Sequence, residues 1–177
     1  MRTLFFAALC FFGLAGACQA SAVVLTREID LESNFCKVVA LVTTHPEVIG
    51  GEVLQKAPIK KGVALDPEKG LIWYQTTRDQ VKVKGEELWF KTHLALNRRS
   101  LAILSCLDDE SEFLNDSKML VEFHEKKEGG TLVKITLMLD ADVGSFGLRL
   151  GGRVATFKTE RALRELVGEA TSEKDEE

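Results

Sequence analysis

Three histidines, four cysteines and the adjacent carboxylates Glu86 and Glu87 are the residues of this 177-residue chain read first for chemistry. His45, His93 and His124 never fall at i, i+4, and none belongs to an HExxH pattern, so the two-histidine zinc face of a metallohydrolase is absent. Each reads as a surface or edge residue, and no metal ligand is predicted. Cys36 and Cys106 are too few for a four-thiolate structural zinc site. They read either as a disulfide in an oxidising compartment or as two small buried hydrophobes. Glu86 and Glu87 are chemically an acid/base pair, yet neighbours in a strand point to opposite faces. An inward one needs a partner such as Arg98 or Arg99; otherwise the two read as charges that guard a strand edge. No GxSxG elbow, GxGxxG fingerprint or P-loop is present. Gly144-Ser145-Phe146-Gly147 precedes a helical pattern and reads as a cap and hinge. The sequence therefore carries no catalytic signature, and no cofactor is expected.

The N-terminus reads as an export signal over residues 1–20. Met1-Arg2-Thr3 is a short basic start, and Leu4 to Ala17 is apolar or small throughout. That run falls short of the roughly 20 apolar residues a membrane helix needs. Cys18 and Ala20 are the small residues flanking a cleavage point after Ala20. A second route stays open, because Ala15-Gly16-Ala17-Cys18 resembles a bacterial lipobox, in which Cys18 would carry a lipid anchor. Either route predicts a secreted or periplasmic protein. Removing residues 1–20 takes away Arg2 alone among the charged residues and moves the formal charge from −4 to −5.

That acidic balance gives a nucleic-acid partner no electrostatic support. Fourteen Gly and three Pro exclude collagen-like and disordered classes, and 45% hydrophobic residues suffice for one packed domain. The domain is expected over residues 22–168, with 169–177 as a solvated, disordered acidic tail.

Hydrophobic spacing then gives the elements. Ala22–Ile29 reads as a strand. Asp30 caps a helix from Leu31, with Leu31, Phe35, Val38, Val39 and Val42 on one face. Strands follow at Val53–Lys56, Leu71–Thr77, Val81–Val83, Leu88–Leu96, Ser100–Cys106, Lys118–His124 and Thr131–Asp140. Asp66-Pro67-Glu68-Lys69-Gly70 forms a turn, Asp108 to Ser117 an acidic loop, and Glu128-Gly129-Gly130 a hairpin connection. Val133, Ile135, Leu137 and Leu139 make one fully apolar strand face, so the sheet is wet on one side and packed on the other. A last helix spans Ser145–Gly168. Gly151-Gly152 inside it marks a kink or a close approach, because each Gly costs about 1 kcal/mol relative to Ala.

The expected fold is α+β: a curved antiparallel sheet gripping a long C-terminal helix, with a short helical segment after the first strand. A one-sided sheet must cover its apolar face, and the last helix is the element long enough to do so. Space left between the two suits an apolar ligand.

In this order of elements the chain resembles the START-like helix-grip superfamily, also called SRPBCC, which includes the major birch-pollen allergen. The resemblance rests on Leu71-Ile72-Trp73-Tyr74-Gln75-Thr76, on Glu86-Glu87-Leu88-Trp89-Phe90, and on the run from Gly130 through Leu139-Asp140-Ala141-Asp142-Val143-Gly144 into the final helix. The family's Arg-Asp pair is missing from the second stretch, so a minimal bacterial-type START-like domain fits best. The resemblance implies binding or transfer of a hydrophobic small molecule or lipid, such as a fatty acid or sterol-like molecule, with transient membrane contact.

Strand periods place Trp73, Trp89, Phe90, Leu94, Ile103, Phe123 (or its neighbour in the period, Val121), Ile135 and Leu137 as candidate cavity residues. Leu150, Val154 and Phe157 are their counterparts on the helix. Two other functions remain open at this stage: an enzyme of cyclase or hydrolase type on the same fold, built on Glu87 with Arg99 or His93, and a solid-core interaction module without a cavity. A lipocalin-type carrier lacks its Gly-x-Trp motif here.

Overall fold

The computed structural model describes residues 21–50, 52–83, 86–111, 114–141 and 145–169. The expected signal at 1–20, Cys18 within it, and the acidic tail from 170 onward lie outside the described residues. The elements run β1 (Ser21–Leu31), α1 (Phe35–Thr44), α2 (Glu47–Gly50), β2 (Val53–Asp66), β3 (Gly70–Val83), β4 (Glu86–Leu96), β5 (Ser100–Leu107), β6 (Asp116–Glu125), β7 (Thr131–Ala141) and α3 (Ser145–Val167). All neighbouring strands are antiparallel, and the seven-stranded sheet has the order β1-β7-β6-β5-β4-β3-β2. The curved sheet with its long C-terminal helix is the α+β helix-grip architecture expected above.

Three local expectations are corrected. Leu31 is fully buried as the last residue of β1, and α1 starts at Phe35 under the cap of Asn34. Asn34 Oδ1 accepts from Lys37 N at 2.9 Å, while Asp30 still sits in the ladder opposite Leu132. β2 does not stop at Lys56. It runs to Asp66 through a register shift between Pro58 and Lys60, which lets a proline sit in an edge strand. The two short strands read at Leu71–Thr77 and Val81–Val83 are one strand, because polar Arg78, Asp79 and Gln80 keep their places in the ladder to β4.

The β2–β3 hairpin is longer than its neighbour. β3 meets β4 from Trp73 onward, so Leu71 and Ile72 pair with β2 alone, and Leu65 and Leu71 at the tip are 80% and 66% exposed. Asp66 Oδ1 accepts from Glu68 N and Lys69 N at the turn, and these two bonds hold its carboxyl below the usual pKa.

The core sits under α3 at one side of the sheet. Ile29, Leu31, Leu101, Val121, Phe123, Val133 and Ile135 from the strands are fully buried, as are Val38, Val42, Leu148 and Leu163 from the helices. α3 packs on β1 and β7. A Cβ on Gly152 would come within 2.1 Å of Leu25 Cδ1, so the missing side chain lets the helix seat closely on β1 with Leu25 in its present rotamer. An ion-pair cluster fixes the same contact. Glu160, whose side chain is 9% exposed, pairs with Arg27 of β1 and with Arg164 at 3.0 Å. The C-terminus of α3 is tied to the start of α1: Lys37 Nζ donates to Val167 O at 2.9 Å and Ser33 N to Glu169 Oε1 at 2.8 Å. Glu169, read as the first residue of the tail, is therefore held.

Candidate functional site: a cavity beside the long helix

Period-two alternation sends one set of side chains to the concave face of the sheet, and register lines them up in rows across the strands. One row reads Trp73, Leu96, Leu101, Phe123, Val133 and Ile29. The next reads Gln75, Leu94, Ile103, Val121, Ile135 and Arg27, and the third Thr77, Thr92, Ser105, Met119, Leu137 and Leu25. Asp79 and Phe90 pair in the row beyond. On β6, β7 and β1 the rows are almost wholly apolar. On β3, β4 and β5 they alternate apolar with small polar residues.

Over that second region lies a cavity of about 260 Å³. Its roof is Val42 and Thr43 of α1, Pro46, and Ile49 of α2; its floor is the concave face of β2 to β7. Trp73, Val81, Phe90, Leu94, Ile103, Met119 and Leu137 give it apolar walls, and Gln75, Asp79, Thr92, Ser105 and Ser117 add polar groups. Thr43, Lys56 and Trp73 are its exposed lining residues, which places the mouth between α1–α2 and the β2–β3 hairpin. The volume lies just under the roughly 300 Å³ at which ligand pockets usually begin. It therefore suits a compact molecule.

Of the eleven candidate cavity residues, Trp73, Phe90, Leu94, Ile103 and Leu137 line this space. Phe123 and Ile135 are fully buried in the core beside it. Trp89 alternates with Phe90 and lies on the convex face, with the Arg78 guanidinium 4.8 Å from its ring centroid. Leu150 is 44% exposed, Val154 is half-buried, and Phe157 is half-buried with Arg27 5.5 Å from its ring. No α3 residue lines the cavity among the described residues. The helix packs directly on β1 and β7, with Gly152 against Leu25.

The polar groups suited to acid/base work are not together. Glu86 accepts from Ser111 Oγ at 3.0 Å, whereas Glu87 is exposed and accepts from Gln80 Nε2 at 3.1 Å. His93 faces away from the cavity and meets Thr76 Oγ1 at 3.1 Å, and Arg99 lies in the β4–β5 turn beside Glu125. Cys36 and Cys106 are free thiols. A bridge is precluded because Cys106 sits between Lys91 and Lys118 on the convex face, while α1 covers the concave one. Burial pushes the Cys106 thiol above its usual pKa. Among the described residues no cluster of His, Cys, Asp and Glu can hold a metal ion, and no helix is long and apolar enough to cross a membrane.

Sequence reasoning missed Asp79. Its residue is 6% exposed, and its Oδ1 is buried with no hydrogen-bond partner. The signal was legible: Trp73, Gln75, Thr77, Asp79 and Val81 continue a single period of two. Reading Arg78-Asp79-Gln80 as a break between strands hid it.

This arrangement is the START-like helix-grip fold. Solved structures with the same architecture include a START superfamily protein from Mycobacterium smegmatis, with a TM-score of 0.54, 13% identity, and coverage of 82% of this chain and 97% of that one. The Zhui aromatase/cyclase from Streptomyces sp. R1128 gives a TM-score of 0.55 at 12% identity, covering 84% of this chain and 94% of that one. A protein from Thermus thermophilus gives 0.51 at 15% identity, covering 86% and 100%. No protein-family model and no curated protein matches the chain by sequence.

Proposed function

We propose that the chain is an exported protein that binds or carries a compact hydrophobic ligand in the cavity between α1–α2 and the open half of the sheet. The observation that carries this reading is the cavity itself, about 260 Å³ walled by Trp73, Phe90, Leu94, Ile103, Met119 and Leu137 in a domain whose other half is tightly packed. A solid-core interaction module has no use for such a space. The basic, apolar N-terminal run supports export, with Cys18 as the point of attachment if a lipid anchor is added. The volume favours a one- or two-ring molecule or a short acyl chain over a full sterol.

The test is uptake of an environment-sensitive apolar fluorophore by ligand-stripped protein, alongside Ser105→Trp. The indole added from the floor fills the cavity, so this variant should stay folded and lose at least tenfold in affinity. Native mass spectrometry of the protein as purified reads any retained ligand. Wild-type protein that takes up no apolar probe refutes the proposal.

A further inference from the structure

We infer that Asp79 is a polar anchor that selects a ligand bearing a hydroxyl group; this rests on the cavity being a ligand site. Asp79 is 94% buried, the complement of its 6% exposure, and lines the cavity from the concave face of β3. Its Oδ1 is shielded from solvent and accepts no hydrogen bond. A buried acceptor left without a donor is costly, and native structures rarely tolerate one without a reason. Thr92 and Ser105, which face the same space, satisfy each other at 3.2 Å, and of the polar groups lining the cavity Asp79 carries the buried atom without a partner.

Oδ1 offers no surface to a water-sized group as it stands, so a turn of the carboxyl about χ2 is what brings the unpaired oxygen to the cavity wall. A ligand O–H there supplies the missing bond, and a molecule without a donor does not. Sites built this way discriminate strongly, because the analogue lacking the donor leaves the protein group unpaired. Lys56 narrows the class further. It is the cross-strand neighbour of Asp79 and lines the same cavity, so the Asp79 carboxyl already faces a cation and an amine drawn to it would meet that like charge beside it. The apolar walls, with Phe90 directly opposite Asp79 on β4, accept the carbon skeleton. The ligand class is then a compact neutral alcohol or phenol.

The experiment compares naphthalene, 2-naphthol and a naphthylmethylamine by calorimetry or ligand fluorescence at neutral pH. Wild type should bind 2-naphthol at least tenfold tighter than naphthalene, a difference of about 1.4 kcal/mol, and should bind the amine more weakly than the naphthol. Asp79→Leu should bring 2-naphthol to within about twofold of naphthalene while naphthalene binding persists. Asp79→Asn keeps an acceptor oxygen and should retain part of the preference. Naphthalene binding with no preference for the naphthol overturns the anchor and leaves the cavity reading intact. Tightest binding of the amine overturns the hydroxyl class. Failure of all three probes overturns both readings. If Asp79→Leu does not fold, the wild-type ratio and the Asn variant still decide.

Discussion

The two halves of one sheet have been finished differently. On β1 and β7 the concave side chains meet α3, and with those of β6 beneath α1 they close into a core, with Phe123, Val133 and Ile135 wholly excluded from solvent. On β3, β4 and β5 the same face bears Gln75, Thr92, Ser105 and Asp79 between its apolar residues, and its roof is α1, α2 and the turn between them. From β1 across to β3 the ladders run without a register shift, so the backbone does not make the difference. The placement of α3 does. Gly152 and the Glu160 cluster draw the helix onto one side and leave the other half under a shorter, higher cover. A binding space in this fold arises where packing stops.

Paired truncations sharpen the contrast most. Phe123→Ala should cost about 3–5 kcal/mol, as is usual for a fully buried aromatic. Phe90→Ala borders existing empty space and should cost about half of that, because less packing is lost. Denaturant melts compare the two, and equal losses would mean that the halves are packed alike. Breaking the clasp comes next. Glu160→Ala removes the anion between Arg27 and Arg164 and should cost about 2–4 kcal/mol, somewhat under the value for a fully buried pair because both guanidinium groups retain some water. Glu160→Gln, which keeps hydrogen bonding, should lose less in the same thermal melt. The smallest effect is at the close approach. Gly152→Ala gains about 1 kcal/mol of helix propensity but makes the half-buried Leu25 move its δ-methyl aside, for a net change within about 1 kcal/mol of zero. A loss of about 2 kcal/mol or more in the same melt would show that Leu25 cannot give way and that the missing side chain at Gly152 sets the seat of the helix.

Much of this is legible in the chain. The order of elements, the one-sided face of β7 and the span of α3 follow from spacing alone, because period two and period 3.6 are strong signals over ten residues or more. Half of the candidate site is not legible. Alternation places Phe90 and Leu94 correctly, but Leu150, Val154 and Phe157 belong to the cavity only on the premise that the helix is centred on the sheet. Which side a helix leans to is set by tertiary contacts such as Gly152 on Leu25, for which local sequence has no signature. Asp79 escapes notice for a different reason: three polar residues in a row mimic a turn, and only the ladder to β4 shows that the strand continues. Asn34 takes the capping role from Asp30 because burial of Leu31 extends β1 beyond its apparent end.

The free margin of β2 has a consequence of its own. A fourteen-residue outermost strand is a template onto which another molecule can add its own. The register break at Pro58 and Lys60 interrupts that template, and Lys56, Lys60 and Lys61 set positive charges along it. Two copies approaching edge to edge would meet a kink and mutual repulsion, so the chain can keep its sheet open beside the cavity without polymerising through it.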